Sequence, residues 1–147
     1  MRVLLQRVTR AKVTVEGKVR GAIGPGLMAL VGVGPDDSAE IARALADKSV
    51  DLRIFRDEDG RTNRSLTDVG GAVLVVSQFT LYGDTRKGRR PSFIYAAAPD
   101  LAAELVEVFA TATEARGVEV GRGEFGAEMA VELVNHGPMT IWLDSDA

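Results

Sequence analysis

Leu27 to Val33 constrains this chain more than any other stretch: it is a nearly continuous apolar run, bounded by Gly24-Pro25-Gly26 and Gly34-Pro35. A short apolar run punctuated by Gly-Pro at both ends reads as a strand. It has no polar face, so it belongs at the centre of a sheet covered on both sides. The rest of the chain must supply that cover.

Strand patterns recur on either side of it. Arg2 to Val8 and Ala11 to Val15 predict two short strands; in the second, Ala11, Val13 and Val15 alternate with Lys12, Thr14 and Glu16. Glu16-Gly17-Lys18 predicts a turn. Arg53 to Arg56 reads as a short strand ending in the turn Asp57-Glu58-Asp59-Gly60, and Val73 to Phe79 as a strand that is almost wholly apolar until Ser77. Ala127 to Val134 alternates with Met129, Val131 and Leu133 on one face, and Met139, Ile141 and Leu143 resume the pattern after Pro138.

Two helices fit between these strands. Asp37-Ser38-Ala39-Glu40 resembles a capping box with Asp37 as the N-cap, opening a helix whose stripe is Ile41, Leu45, Lys48 and Leu52 with Ala44 between. Pro99 opens a second, running to about Arg116 and stopped by Gly117, with Leu101, Leu105, Val108 and Phe109 as its stripe. The expected fold is α+β: one domain over residues 1–147, a mostly antiparallel or mixed sheet rolled into a barrel-like system with two main helices.

Composition removes several function classes. Cysteine is absent, so disulfides, a thiolate nucleophile and cysteine-ligated metals are excluded. No apolar run approaches the roughly 18 residues that span a bilayer, and no signal-like segment follows Met1, so a cytoplasmic location is expected and no membrane partner. The net charge of -3 means that nucleic acid can be bound only through a local patch.

Familiar catalytic signatures are missing: no G-x-S-x-G elbow, H-E-x-x-H pair, phosphate loop or G-x-G-x-x-G. His136 is the single histidine. Three polar segments remain. Asn135-His136-Gly137-Pro138-Met139-Thr140 interrupts two strand-like runs with a proline; it is either an ordinary tight turn or a rigid wall of two fixed carbonyls. Ser77-Gln78-Phe79-Thr80-Leu81 brings polar groups to the end of an apolar strand, where they either satisfy backbone groups or bind a carbonyl and its oxyanion. Asp84-Thr85-Arg86-Lys87-Gly88-Arg89-Arg90-Pro91 holds four cations, either a solvated loop or a grip on phosphates. Tyr82, Phe93 and Tyr95 nearby are suited to stacking on bases or to core packing.

These segments together resemble the bacterial-type D-aminoacyl-tRNA deacylases. Ser77 to Leu81 matches that family's S-Q-F-T-L motif and Asn135 to Thr140 its N-x-G-P-x-T motif. Gln6-Arg7-Val8, Leu52-Arg53-Ile54-Phe55, Asn63-Arg64-Ser65, Thr85 to Ser92 and Phe125-Gly126-Ala127 follow the family in order, so the resemblance covers nearly the whole chain. It implies a homodimer with its active sites at the interface, acting on the aminoacylated 3′ end of tRNA and not on DNA. The ester to a D-amino acid is hydrolysed, and a cis Gly137-Pro138 from the partner subunit excludes L esters. Glycyl-tRNA, including glycine misloaded on alanine tRNA, is accepted as well. No cofactor or metal is expected.

Carried over residue by residue, the resemblance implies that Ser77, Gln78, Phe79 and Thr80 form the catalytic segment. The backbone of Phe79 and Thr80 takes the carbonyl, and the substrate's own 2′-hydroxyl helps to activate water. Gly137, Pro138, Met139, Thr140 and Asn135 make the chiral filter, with Arg7 bracing it and Phe125 and Met129 lining the pocket. Arg86, Lys87, Arg89 and Arg90 bind tRNA. His136 and Met139 fill the motif's two variable positions, and His136 is bulkier than the small acid expected there. Three rivals remain: a non-catalytic tRNA-binding module, an editing domain for other misacylated tRNAs, and an ester hydrolase with Thr80 as nucleophile, for which no adjacent base is visible.

Overall fold

A computed structural model describes residues 1–147. Its elements are β1 (Arg2–Val15), β2 (Lys18–Ile23), β3 (Gly26–Gly32), α1 (Ala39–Asp51), β4 (Phe55–Arg56), β5 (Thr62–Arg64), β6 (Ala72–Ser77), a 3-10 turn (Phe79–Tyr82), α2 (Pro99–Glu114), β7 (Val120–Arg122) and β8 (Ala130–Asp144). No helix is long and apolar enough to cross a membrane.

The α+β class is as expected: a mixed sheet, nearly closed into a barrel, with two helices. β1 pairs antiparallel with β2 and β3, which together return along one edge of it, while β8 runs antiparallel along the other. β3 pairs parallel with β6, and β6 with β7. The Leu27 to Val33 run is thus interior, as predicted. Closure comes where β2 crosses β7. A Cβ on Gly21 would stand 2.5 Å from the Arg122 carbonyl oxygen, so only glycine lets the strands meet this closely.

Alternate residues of the sheet feed two cores. Val3, Leu5, Leu27, Ala29, Val31, Val73 and Val75 pack under both helices with Leu105 and Phe109. Met28, Leu74 and Val76 face the barrel interior with Val8, Ala11, Val13, Val15 and Ile23. Truncating Phe109, which is fully buried, to alanine costs about 3–5 kcal/mol.

Several local expectations are corrected. The two predicted N-terminal strands are one, β1, because its register slips between Val8 and Arg10 instead of the strand ending. That slip keeps Val8 and Ala11 on the same core despite their odd spacing. Ser38, not Asp37, caps α1: its Oγ accepts from the Ile41 N–H at 3.3 Å. Asp37 is drawn away by the Met1 ammonium and the Gly34 N–H, each 2.6 Å distant.

The buried stripe of α1 is Ala42, Leu45, Ala46, Ser49 and Val50, and Ala44 and Lys48 are exposed. That of α2 is Ala102, Leu105, Phe109, Ala110 and Thr113. Small residues define both stripes because each helix packs on its neighbour as well as on the sheet. The apolar strand before Phe79 stops at Ser77, and Phe79 and Thr80 lie in the 3-10 turn. Asn135 to Thr140 does not sit in a hairpin: both flanking runs are β8. Asn135 pairs with Val8 and Thr140 with Gln6, so residues 136–139 bulge out opposite Arg7 alone.

Candidate active site

The β6 strand delivers its polar end beside β3, where the Gln78 N–H donates to the Val31 carbonyl at 2.8 Å. The chain then turns, with the Leu81 N–H closing on the Gln78 carbonyl at 3.2 Å. That is the first bond of the turn, so the N–H groups of Phe79 and Thr80 before it have no acceptor inside it. Two adjacent free donors are the arrangement that holds an oxyanion. Gln78 Nε2 donates to Thr80 Oγ1. No histidine or carboxylate is hydrogen-bonded to the Thr80 hydroxyl.

Ser77, Gln78 and Phe79 line a cleft of about 400 Å³ with Val31, Val33, Phe93, Pro99 and Phe125. Phe79 and Phe93 meet edge to face, ring centroids 5.0 Å apart. Both are partly exposed, which leaves aromatic faces for a planar ligand. Thr80 is exposed outside the cleft lining. Phe125 is in this lining. Met129 is not: it packs half-buried against the barrel core, its Sδ 2.9 Å from where a Gly123 Cβ would stand. Among the aromatic residues proposed to stack, Tyr82 is buried while Phe93 and Tyr95 are accessible.

Arg2, which the sequence gives no reason to single out, braces the turn from below. Its Nη1 donates to the Leu81 carbonyl at 2.8 Å, and its guanidinium lies 4.4 Å from the Tyr82 ring centroid. Burial, chiefly, and the nearby Asp37 raise the Tyr82 pKa, so the phenol stays neutral.

The Gly137-Pro138 peptide is cis and exposed. Arg7 holds its base: Nε donates to the His136 carbonyl at 2.9 Å and Nη1 to the Ile54 carbonyl at 2.7 Å. Burial, and then the Arg56 charge, lower the Arg7 pKa, yet a guanidinium stays protonated at any physiological pH. Asn135 Nδ2 donates to the carbonyls of Arg7 and Met139 at 2.9 and 3.2 Å, and Gln6 Nε2 to Thr140 Oγ1 at 3.2 Å. Met139 turns toward the helix-side core.

The structure does not bring this loop to the Ser77 end within one chain. The loop stands opposite Arg7, level with Leu27, whereas Ser77 is level with Val31. Four residues along β3 and three strand spacings across, at about 3.3 and 4.8 Å each, put the two roughly 20 Å apart. Neither segment completes the other within one chain.

The basic loop is closed by paired backbone bonds between Asp84 and Ser92, of 2.7 and 2.9 Å. Arg86 is committed inside it, both Nε and Nη2 lying 2.8 Å from the Asp84 carboxylate, with the Tyr95 hydroxyl at 3.3 Å. The Arg86 hydrogen bonds hold the Asp84 pKa down to about 2. Lys87, Arg89 and Arg90 are exposed and unpaired.

The chain is similar to known proteins along nearly its whole length. The family described as D-Tyr-tRNA(Tyr) deacylase matches residues 4–144. A D-aminoacyl-tRNA deacylase of Roseiflexus castenholzii is 61% identical over 145 residues, 99% of this chain and 92% of that protein. One from Deinococcus deserti is 59% identical over 144 residues, 98% of this chain and 99% of that protein. Among solved structures, a c-Myc DNA Unwinding Element Binding Protein superposes with a TM-score of 0.92 at 36% identity, covering all of both chains. A probable eukaryotic D-amino acid tRNA deacylase, at TM-score 0.83 and 23% identity over 97% of each chain, shares the fold.

Proposed function

The chain belongs to the D-Tyr-tRNA(Tyr) deacylase family, and we propose on that premise that residues 1–147 act as one deacylase domain, hydrolysing the ester of D-aminoacyl-tRNA to a free D-amino acid and tRNA. The observation that carries the reading is the pair of free N–H donors, Phe79 and Thr80, at the rim of an aromatic cleft. A carbonyl oxygen docked on them becomes more electrophilic, and the charge it gains on attack by water meets two donors already in place. Water adds to the carbonyl carbon, the tetrahedral intermediate collapses, and the ribose oxygen leaves with a proton. The 2′-hydroxyl of the terminal ribose assists the water, since no protein base is bonded to Thr80.

L esters are excluded by Gly137-Pro138 supplied by a partner subunit. The roughly 20 Å separation within one chain supports this arrangement, because the loop reaches an ester at Ser77 only across a dimer interface. Its carbonyls stand where an L side chain must go, so rejection is steric. Glycine presents no side chain to reject, and glycyl-tRNA, including glycine misloaded on alanine tRNA, is therefore a substrate. Arg7 and Asn135 hold the loop, Lys87, Arg89 and Arg90 bind tRNA phosphates, and the reaction proceeds without a cofactor.

The test is the hydrolysis rate of D-tyrosyl-tRNA against L-tyrosyl-tRNA by purified protein, with glycyl-tRNA alongside. The expected result is loss of the D and glycyl esters with the L ester spared. Equal loss of D and L esters discards the filter, and no loss of any ester discards the activity.

A further inference from the structure

Ten of the eighteen Lys and Arg side chains have no carboxylate partner. Six of those ten fall in two short segments. One is the Lys87 to Arg90 loop already described; the other is Arg53, Arg56 and Arg61, on and beside the small β4–β5 hairpin. All three are exposed.

Acids on this hairpin are mostly occupied elsewhere. Asp57 accepts the backbone N–H groups of Asp59 and Arg61, both at 2.9 Å, which holds its pKa down. Glu58 is paired with Arg64 at 2.5 Å, and Asp68 caps the Ser65 N–H at 2.9 Å. Asp59 alone, at the tip, is left over. The hairpin thus spends its carboxylates on its own turn and turns its free guanidiniums outward.

Its place in the fold gives those charges a direction. Arg7 joins the carbonyl of Ile54, at the hairpin's root, to that of His136, at the base of the Gly137-Pro138 loop. Arg56 is close enough to Arg7 to lower its pKa, so cationic groups from two elements stand near each other beside the loop.

We propose that the β4–β5 hairpin is a phosphate-binding arm for the tRNA substrate, separate from the Lys87 to Arg90 loop. This rests on the deacylase reading: a loop that enters the partner's cleft brings Arg53, Arg56 and Arg61 up to the RNA backbone leading to that ester. The occupant is polyanionic and the chain carries a net charge of -3, so attraction must come from local patches such as this one.

The test compares the wild type with the triple variant Arg53→Gln, Arg56→Gln, Arg61→Gln on D-tyrosyl-tRNA and on 3′-O-D-tyrosyl-adenosine, an ester with no phosphodiester chain. The expected result is a KM for the tRNA ester raised about tenfold, with the slope of log affinity against log salt shallower by roughly 2, and an unchanged rate on the nucleoside ester. The triple lysine variant should restore the slope. Unchanged KM and slope overturn the proposal, and so does equal loss on both substrates, which would assign the hairpin to holding the site together. If the wild type cleaves neither ester, the deacylase reading has failed instead. The arm is then decided by the salt slope of uncharged tRNA binding in the same variants.

Discussion

Arg7 donates from Nε to the carbonyl oxygen of His136 at 2.9 Å, though 129 residues separate the two in sequence. One buried guanidinium thereby ties the first strand to the exposed Gly137-Pro138 loop. Lysine at this position keeps the charge but reaches only one of the two carbonyls that Arg7 serves. Loss of one bond to a charged donor, about 1.5–3 kcal/mol, is expected to loosen the loop in Arg7→Lys and lower the ratio of D- to L-ester hydrolysis roughly tenfold or more. Paired rate measurements on D- and L-tyrosyl-tRNA check it; an unchanged ratio would show that the loop holds itself.

The backbone role of Phe79 is separable from its ring. Gln78 before it is not helical, with φ -147° and ψ 78°, and Phe79 opens the turn, where a missing N–H costs no bond inside it, so proline is tolerated there. Phe79→Ala removes the ring only; Phe79→Pro removes the ring and the N–H. The proline variant is expected to be slower than the alanine variant by about 10²–10³ in kcat, with similar melting temperatures. Equal rates in the two variants would take this N–H out of the mechanism.

Thr80→Ala is expected to keep most of its activity, because the backbone donor survives the change. Single-turnover hydrolysis of D-tyrosyl-tRNA reads it directly. Complete loss with fold and tRNA binding intact would return the reaction to the Thr80 hydroxyl.

The four cations of the basic loop should not behave alike. Replacing Lys87, Arg89 and Arg90 together by alanine is expected to make the salt dependence of tRNA binding shallower by roughly 2–3 in slope. Arg86→Ala alone should leave the slope nearly unchanged, since Asp84 already neutralises that charge and the exposed pair contributes little to stability. Filter binding across a salt series distinguishes the two.

Closure of the barrel makes Gly21 sensitive to the smallest addition. Gly21→Ala places a methyl group 2.5 Å from the Arg122 carbonyl oxygen, and both partners there are backbone. A loss of about 1–3 kcal/mol is expected in urea unfolding, and a neutral outcome would mean that β2 and β7 part easily.

Much of this architecture is legible in the sequence, and what is not has identifiable causes. Leu27 to Val33 and Ala72 to Val76 announce interior strands because both faces of each are covered. The helix stripes come out rotated because Ala42, Ala46 and Ala102 are weak hydrophobic signals that become decisive only where two helices approach closely. Asp37 and Ser38 both suit an N-cap, and the choice is made by an amino group distant in sequence. The two site motifs are plain as motifs, but their separation in space follows from strand order, which residue patterns do not carry. Arg2 gives no local signal, since its partners Leu81, Tyr82 and Asp144 come from the middle and the end of the chain.

The pairing of β1 with β8 also sets an order of assembly. Gln6 and Thr140, bonded across it, are 134 residues apart, and contacts of such high sequence separation are slow to form. The β3–β6 pairing that presents Ser77 closes a much shorter loop, and synthesis delivers it earlier. On the proposed reading, a chain caught between those two events would hold its ester pocket before β8 has docked and readied its loop for a partner's pocket. Selection by handedness would then belong to the assembled pair of chains, and it would be the last property they acquire.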